Sequence, residues 1–218
     1  FLYNLAMAYE AVGDIDSAME NYKKVIFYKN EDSNSFFSIG ILYSKKDDHK
    51  TAIKCFKKAI EYNYSDYFAH FYLAEEYKKI GELDFALVEY RKVLELSPDY
   101  SWAYFNIAQI YWELGRVDDA VTMLNKTIEK NPKDMECYKL LAQILIKEEK
   151  FNDALELLTK ASEKNENGDI YYLMSKVFEI LDDNTSRKDC LELALEQQKS
   201  LTFNIEAVKN EYKGLTKG

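Results

Sequence analysis

Two histidines, three cysteines and many carboxylates are the side chains from which this sequence could build reactive chemistry. A zinc or redox site needs Cys and His at short, fixed spacings. Cys55, Cys137 and Cys190 are far apart and form no CxxC pair, so they make neither a disulfide framework nor a metal motif. Cys55 and Cys190 read instead as small apolar fillers. His49 stands in a charged turn and His70 at a position suited to aromatic packing. No glycine-rich phosphate loop is present, since the glycines are isolated. No Cys–His or Ser–His arrangement suggests an activated nucleophile. Carboxylate pairs such as Asp118-Asp119 and Asp182-Asp183 fall at turns and helix starts, where capping and the helix dipole account for them. The sequence therefore points to no catalytic residue, no metal and no cofactor.

Charge narrows the partners. The chain carries 29 Lys and Arg against 38 Asp and Glu, a formal net charge of −9. A phosphate backbone is bound through a surplus of basic side chains on one face, so nucleic acid is not an expected partner. The same balance disfavours an anionic membrane surface. No apolar run is long enough to span a bilayer, so direct membrane insertion is not expected. Protein partners, including ones with basic segments, remain. Hydrophobic residues make up 47% of the chain and charged residues 31%, which is the balance of an ordered chain, not a disordered one.

These residues sit on a repeating frame. Between Ser101 and Pro132 the spacing runs Tyr104, Ile107, Ala108, Tyr111, Gly115, Ala120, Leu124, Pro132. Thirty-four residues earlier it returns as His70, Leu73, Ala74, Tyr77, Gly81, Ala86, Tyr90, Pro98. A second shift gives Phe36, Ile39, Gly40, Tyr43, Asp47, Ala52, Phe56, and a third gives Leu2, Leu5, Ala6, Tyr9, Gly13, Ala18, Tyr22. A fixed period of this length marks a helical repeat array. The pattern resembles the tetratricopeptide repeat family over nearly the whole chain. The resemblance implies an all-α solenoid of antiparallel helix pairs, wound as a right-handed superhelix.

The period predicts a single array over residues 1–218. An incomplete repeat (1–32) is followed by units at 33–66, 67–100, 101–134, 135–167 and 168–201. A capping helix at 202–213 and a frayed tail at 214–218 complete it. Asp16 is a candidate cap for the second helix, because its carboxylate can accept from first-turn N–H groups. The second repeat is expected to be looser, since Asp47 stands where the turn glycine belongs and Tyr64 where the proline belongs. Glu149 replaces the turn glycine of the fifth repeat. Arg187 stands where a small alanine is expected, which predicts that its helix pair opens. The capping helix should bury Ile205, Val208 and Tyr212 and turn Glu206, Lys209, Asn210 and Glu211 outward. Phe1 falls inside a helix of the pattern, so the chain reads as a fragment or a processed product.

In the family, the first helix of each repeat lines a concave groove. Carried over position by position, the resemblance implies a partner-binding set of Tyr3, Asn4, Phe37, Phe71, Tyr72, Glu75, Phe105, Asn106, Gln109, Trp112, Lys139 and Gln143. These residues do not reproduce the Lys/Asn/Arg clamp that chaperone-binding members use for a C-terminal carboxylate. Nor do Asn4 and Asn106 make an unbroken asparagine ladder. Phe37, Phe71, Tyr72, Phe105 and Trp112 instead predict an apolar track for an apolar or amphipathic segment, extended or helical. Aromatics at these positions also pack against the neighbouring repeat, so a purely structural role stays open.

The expected function is thus a non-catalytic scaffold that binds a protein or peptide partner. Two alternatives stand beside it. One is a structural subunit of a multiprotein assembly in a bacterial envelope, secretion, pilus or flagellar machine. The other is a regulatory array of an enzyme whose catalytic domain lies outside this sequence. A cytoplasmic and a periplasmic location both fit, with any targeting segment upstream of residue 1.

Overall fold

The computed structural model describes residues 1–216. They form thirteen α-helices, in the order α1 (Leu2–Ala11), α2 (Ile15–Tyr28), α3 (Ser33–Lys45), α4 (His49–Tyr62), α5 (Tyr67–Lys79), α6 (Leu83–Leu96), α7 (Ser101–Glu113), α8 (Val117–Lys130), α9 (Met135–Lys147), α10 (Phe151–Lys164), α11 (Gly168–Ile180), α12 (Asn184–Glu196) and α13 (Ile205–Thr216). A single 3₁₀ turn, Gln198–Ser200, lies between α12 and α13. The architecture is all-α, with consecutive helices packed as antiparallel pairs. Helices α3, α5, α7, α9 and α11 begin at the first residues of the expected repeats.

One turn geometry joins the helices of each pair. The residue at the glycine position has positive φ in all six turns: Gly13, Asp47, Gly81, Gly115, Glu149 and Asp182. The next N–H then returns to a carbonyl one turn back, as in Asp48 N to Tyr43 O at 3.0 Å and Lys150 N to Leu145 O at 2.8 Å. That left-handed residue ends the first helix and satisfies a carbonyl its backbone would otherwise leave open. Glycine meets the demand without steric cost, whereas Glu149 carries its Cβ into a region side chains disfavour.

The chain divides into two compact units, Phe1–Ile110 and Tyr111–Gly218. In the first unit α1 packs on α2, α3 on α4 and α5 on α6, with α2 against α3 and α4 against α5. Its core repeats one device: a small residue on the first helix opposite a large one on the second. Ala6 shares a buried cluster with Tyr22. Gly40 lies so close to Phe56 that an added Cβ would stand 2.7 Å from the ring. In the second unit α9 packs on α10, α11 on α12 and α12 on α13. There Ala142, Ala154 and Leu158 occupy the same places.

Several expectations are corrected. The α2 cap is Asp14, which accepts from Ser17 N at 3.1 Å. Asp16 lies within the helix and pairs with Lys46 at 3.0 Å. The 33–66 repeat is not loose, since Leu42, Ala52, Phe56 and Ala59 are all fully buried. Arg187 does not open its pair: α11 and α12 stay packed. Its guanidinium reaches Glu179 at 2.7 Å and Glu211 at 3.2 Å, so charge neutralisation replaces the missing alanine contact. Glu211 therefore turns inward, and it also accepts from Tyr172 at 3.0 Å and Lys176 at 2.7 Å. Helix α13 continues through Thr216 instead of fraying from 214, because Leu215 packs beside Tyr212 on the cluster of Leu191, Leu201 and Val208. The rest of the expected tail, residues 217–218, lies outside the described residues.

Gly40→Ala should lower unfolding free energy by about 1–3 kcal/mol, the usual range for overpacking a closed core. Adding Phe56→Leu should recover part of that loss, because a smaller side chain frees the space the Cβ needs. Urea unfolding of the two single variants and the double variant measures this, and simple additivity would show that Gly40 and Phe56 do not compete for the same space.

Candidate functional site

In the first unit α1, α3 and α5 line one open hollow, and α5, the α6–α7 connection and α7 line a second. The larger, about 540 Å³, is lined by Tyr3, Met7, Phe37, Ile41 and Tyr72, with Tyr22 behind and Glu10 and Lys45 among its polar members. Phe37 meets Tyr72 edge-to-face at 5.4 Å and Phe56 at 5.7 Å. Tyr3 meets Tyr22 at 5.3 Å. The Tyr22 hydroxyl donates to Glu10 at 3.2 Å, and Lys45 pairs with the other Glu10 oxygen at 3.1 Å. Burial, helped by Glu10 and Tyr3 and opposed by the Ser38 hydroxyl, pushes the Tyr22 phenol up to about 12, so it stays a donor. The hollow is thus an apolar floor with a fixed ion pair beside it.

The second hollow, about 440 Å³, gathers Phe71, Tyr100, Trp102 and Phe105 with Glu75, Asn106 and Gln109. Phe71 meets Tyr72 at 5.7 Å and Tyr100 at 5.3 Å, so the aromatic track runs on from the first hollow. Glu75 accepts from the buried Tyr90 hydroxyl, and burial together with that carboxylate pushes the Tyr90 phenol well up. Asn106 is almost fully buried. Its amide nitrogen donates to Trp102 O at 2.9 Å and its oxygen accepts from Lys78 at 2.7 Å. Gln109 also accepts from Lys78, at 2.6 Å. Asn106, expected in the partner-binding set, therefore already has partners within the fold.

The remaining expected residues are not gathered there. Asn4 is exposed on α1 and lines neither hollow. Trp112, Lys139 and Gln143 belong to the second unit. Lys147 stands over the Trp112 ring at 5.3 Å, and Gln143 is exposed. Lys139 pairs with Glu136 at 2.6 Å and with the buried Asp169 at 2.8 Å. Asp169 also accepts from Thr202 N and Thr202 Oγ1, which ties α11 to the segment before α13. Burial opposes the charge on Asp169, but these donors hold its carboxyl below the usual range.

The expected groove positions did not include Tyr22 and Tyr100. A sequence signal for Tyr100 existed. Its position in the other repeats is occupied by Asp32, Asp66 and Asp134, each capping the following helix. A phenol ring at Tyr100 cannot provide that short acceptor, so this repeat departs from the aspartate pattern there. His70 is structural. Its Nε2 faces Tyr64 O at 3.1 Å, in the place where Tyr104 donates to Pro98 O and Tyr138 to Pro132 O. Burial raises the Cys55 and Cys190 thiols to about 11, which keeps them as packing groups. Among the described residues, no cluster of three or more His, Cys, Asp or Glu is placed to hold a metal.

Comparison with known proteins adds the following. Tetratricopeptide repeat models match residues 1–31, 33–66 and 81–144. No curated protein matches the sequence. Among solved structures, MamA is similar at 23% identity and a TM-score of 0.69, over 75% of this chain and 89% of that one. PilF of Pseudomonas aeruginosa is similar at 13% identity and a TM-score of 0.73, over 99% and 95%. YrrB, described as a tetratricopeptide repeat protein "with an unusual peptide-binding site", is similar at 18% identity and a TM-score of 0.64, over 86% and 97%. At these identities the likeness shows the fold. No helix among the described residues is long and apolar enough to cross a membrane.

The helices behind the hollows are tied by a buried carboxylate. Glu76 on α5 accepts from Ser44 at 2.6 Å and Lys79 at 2.7 Å, and faces His49 Nδ1 at 2.8 Å. Burial pushes its carboxyl up, but the donors outweigh it and the net shift is downward. A carboxylate depressed on folding stabilises the fold above the ordinary glutamate value of about 4.3. That stabilisation is lost as pH falls through the lower folded value. Glu76→Gln should therefore cost about 1–3 kcal/mol near neutral pH. The cost should shrink in acid, and an equal loss at both pH values in urea unfolding would contradict the assignment.

Proposed function

We propose that this chain, which belongs to the tetratricopeptide repeat family, is a non-catalytic scaffold that holds a protein partner's segment on α1, α3 and α5, with an apolar side chain seated among Phe37, Ile41 and Tyr72. Repeats of this family generally mediate protein–protein interaction and are typically non-catalytic. One observation carries the finer reading. Large residues that the fold needs for its pair contacts, Tyr22, Phe56 and Tyr90, are fully buried. Phe37, Phe71 and Tyr72, one layer out, remain partly exposed and line open hollows. Apolar area left to water at a concave surface is recovered only when something covers it.

The segment that fits is apolar or amphipathic. The hollows offer rings and few free amides, so side-chain burial contributes more than backbone hydrogen bonds. Selection of random peptides of about a dozen residues on the full chain should return sequences with a large apolar anchor. Phe37→Ala/Tyr72→Ala, checked for folding by circular dichroism, should weaken them at least about 30-fold, the effect of losing a hot spot of about 2 kcal/mol. Fluorescence polarisation measures this. Unchanged affinity in the folded double variant would rule out the surface.

A further inference from the structure

The second hollow has a chemistry of its own. Phe71, Tyr100, Trp102 and Phe105 line it together with Glu75. The rings stand nearly perpendicular in pairs, Trp102 to Phe105 at 89° and Phe71 to Tyr100 at 81°. They therefore form walls on more than one side instead of a closed stack. Trp102 is 52% exposed, although it is one of the two most costly side chains in the sequence to leave in water. Ring faces carry negative electrostatic potential and attract cations, indole most strongly. Glu75 adds a carboxylate that the Tyr90 hydroxyl holds in place.

We propose that this hollow is a cation-binding box that takes a lysine or arginine side chain of the partner, which extends the peptide reading above and rests on it. Two further observations favour a basic occupant. The chain has a net charge of −9, so a basic segment is drawn to it and an acidic one repelled. The Tyr100 ring stands where three other repeats place a capping aspartate. A local rule broken in this way is characteristic of a functional position. The Lys78 ammonium is held by the amide oxygens of Asn106 and Gln109, two residues that line the box.

The sequence has two tryptophans, so the full chain gives two indole N–H resonances, assigned with Trp102→Phe. N-acetyl-arginine amide, titrated at constant ionic strength, should shift the Trp102 signal saturably and leave Trp112 unmoved. N-acetyl-citrulline amide has the same shape without the charge and should leave both unmoved. Glu75→Gln keeps an acceptor for Tyr90 but removes the charge, and should weaken arginine binding about tenfold. No saturable shift with arginine, an equal shift with citrulline, a shift produced instead by N-acetyl-glutamate amide, or unchanged affinity in Glu75→Gln would each overturn the box. If selected peptides still bind and still depend on Phe37 and Tyr72, only the box falls. If no peptide depends on those residues, the wider reading falls with it.

Discussion

The close approach of two helices, made possible by one small side chain, is the constraint on which each helix pair depends. Gly40 leaves no space for a Cβ beside Phe56. Ala6, Ala74 and Ala142 are fully buried at the same step of the period, and so are Tyr22, Tyr90 and Leu158 on the following helices. Close packing of this kind is intolerant of added volume. It also explains the turn. A second helix can return at that distance only if the first ends abruptly, and the residue with positive φ provides the ending. Asp47, Glu149 and Asp182 accept the strained conformation because pair packing outweighs its local cost.

The same geometry separates residues that hold the fold from residues that can meet a partner. The inward step takes the large side chain of the second helix. The neighbouring steps of the first helix carry Phe37, Phe71 and Tyr72, which touch the next ring but keep a face open. Polar side chains divide similarly. Glu76 and Asp169 are buried and fully engaged with donors from neighbouring helices. Glu75 is only partly buried and lines a hollow. The surface we propose for recognition is what remains of the first helices after pair packing has taken its share.

The period made much of the fold legible. It located the helix starts, the turns and the small residues, because each is forced by contact with an adjacent helix and recurs at the same step. Departures from the pattern were less legible. Arg187 reads as a packing error until Glu179 and Glu211 are seen to neutralise it, and Glu211 comes from a helix outside the regular repeat. Asn106 reads as a free amide until Lys78, twenty-eight residues earlier, is found against its oxygen. The aromatic positions on α3 and α5 followed from the family resemblance, but the way Tyr100 and Trp102 complete a hollow depends on where the α6–α7 connection runs. Tyr100 could have been noticed as the ring that displaces an aspartate cap.

The most direct test is methyl NMR of the full chain during titration with a selected apolar peptide. Met7 and Ile41 line the larger hollow, whereas Val88 is exposed on α6 and lines neither hollow. The account predicts that the Met7 and Ile41 methyl resonances shift saturably while those of Val88 stay in place. Saturable shifts at Val88 with Met7 and Ile41 unmoved would place the partner on the second helices and contradict it.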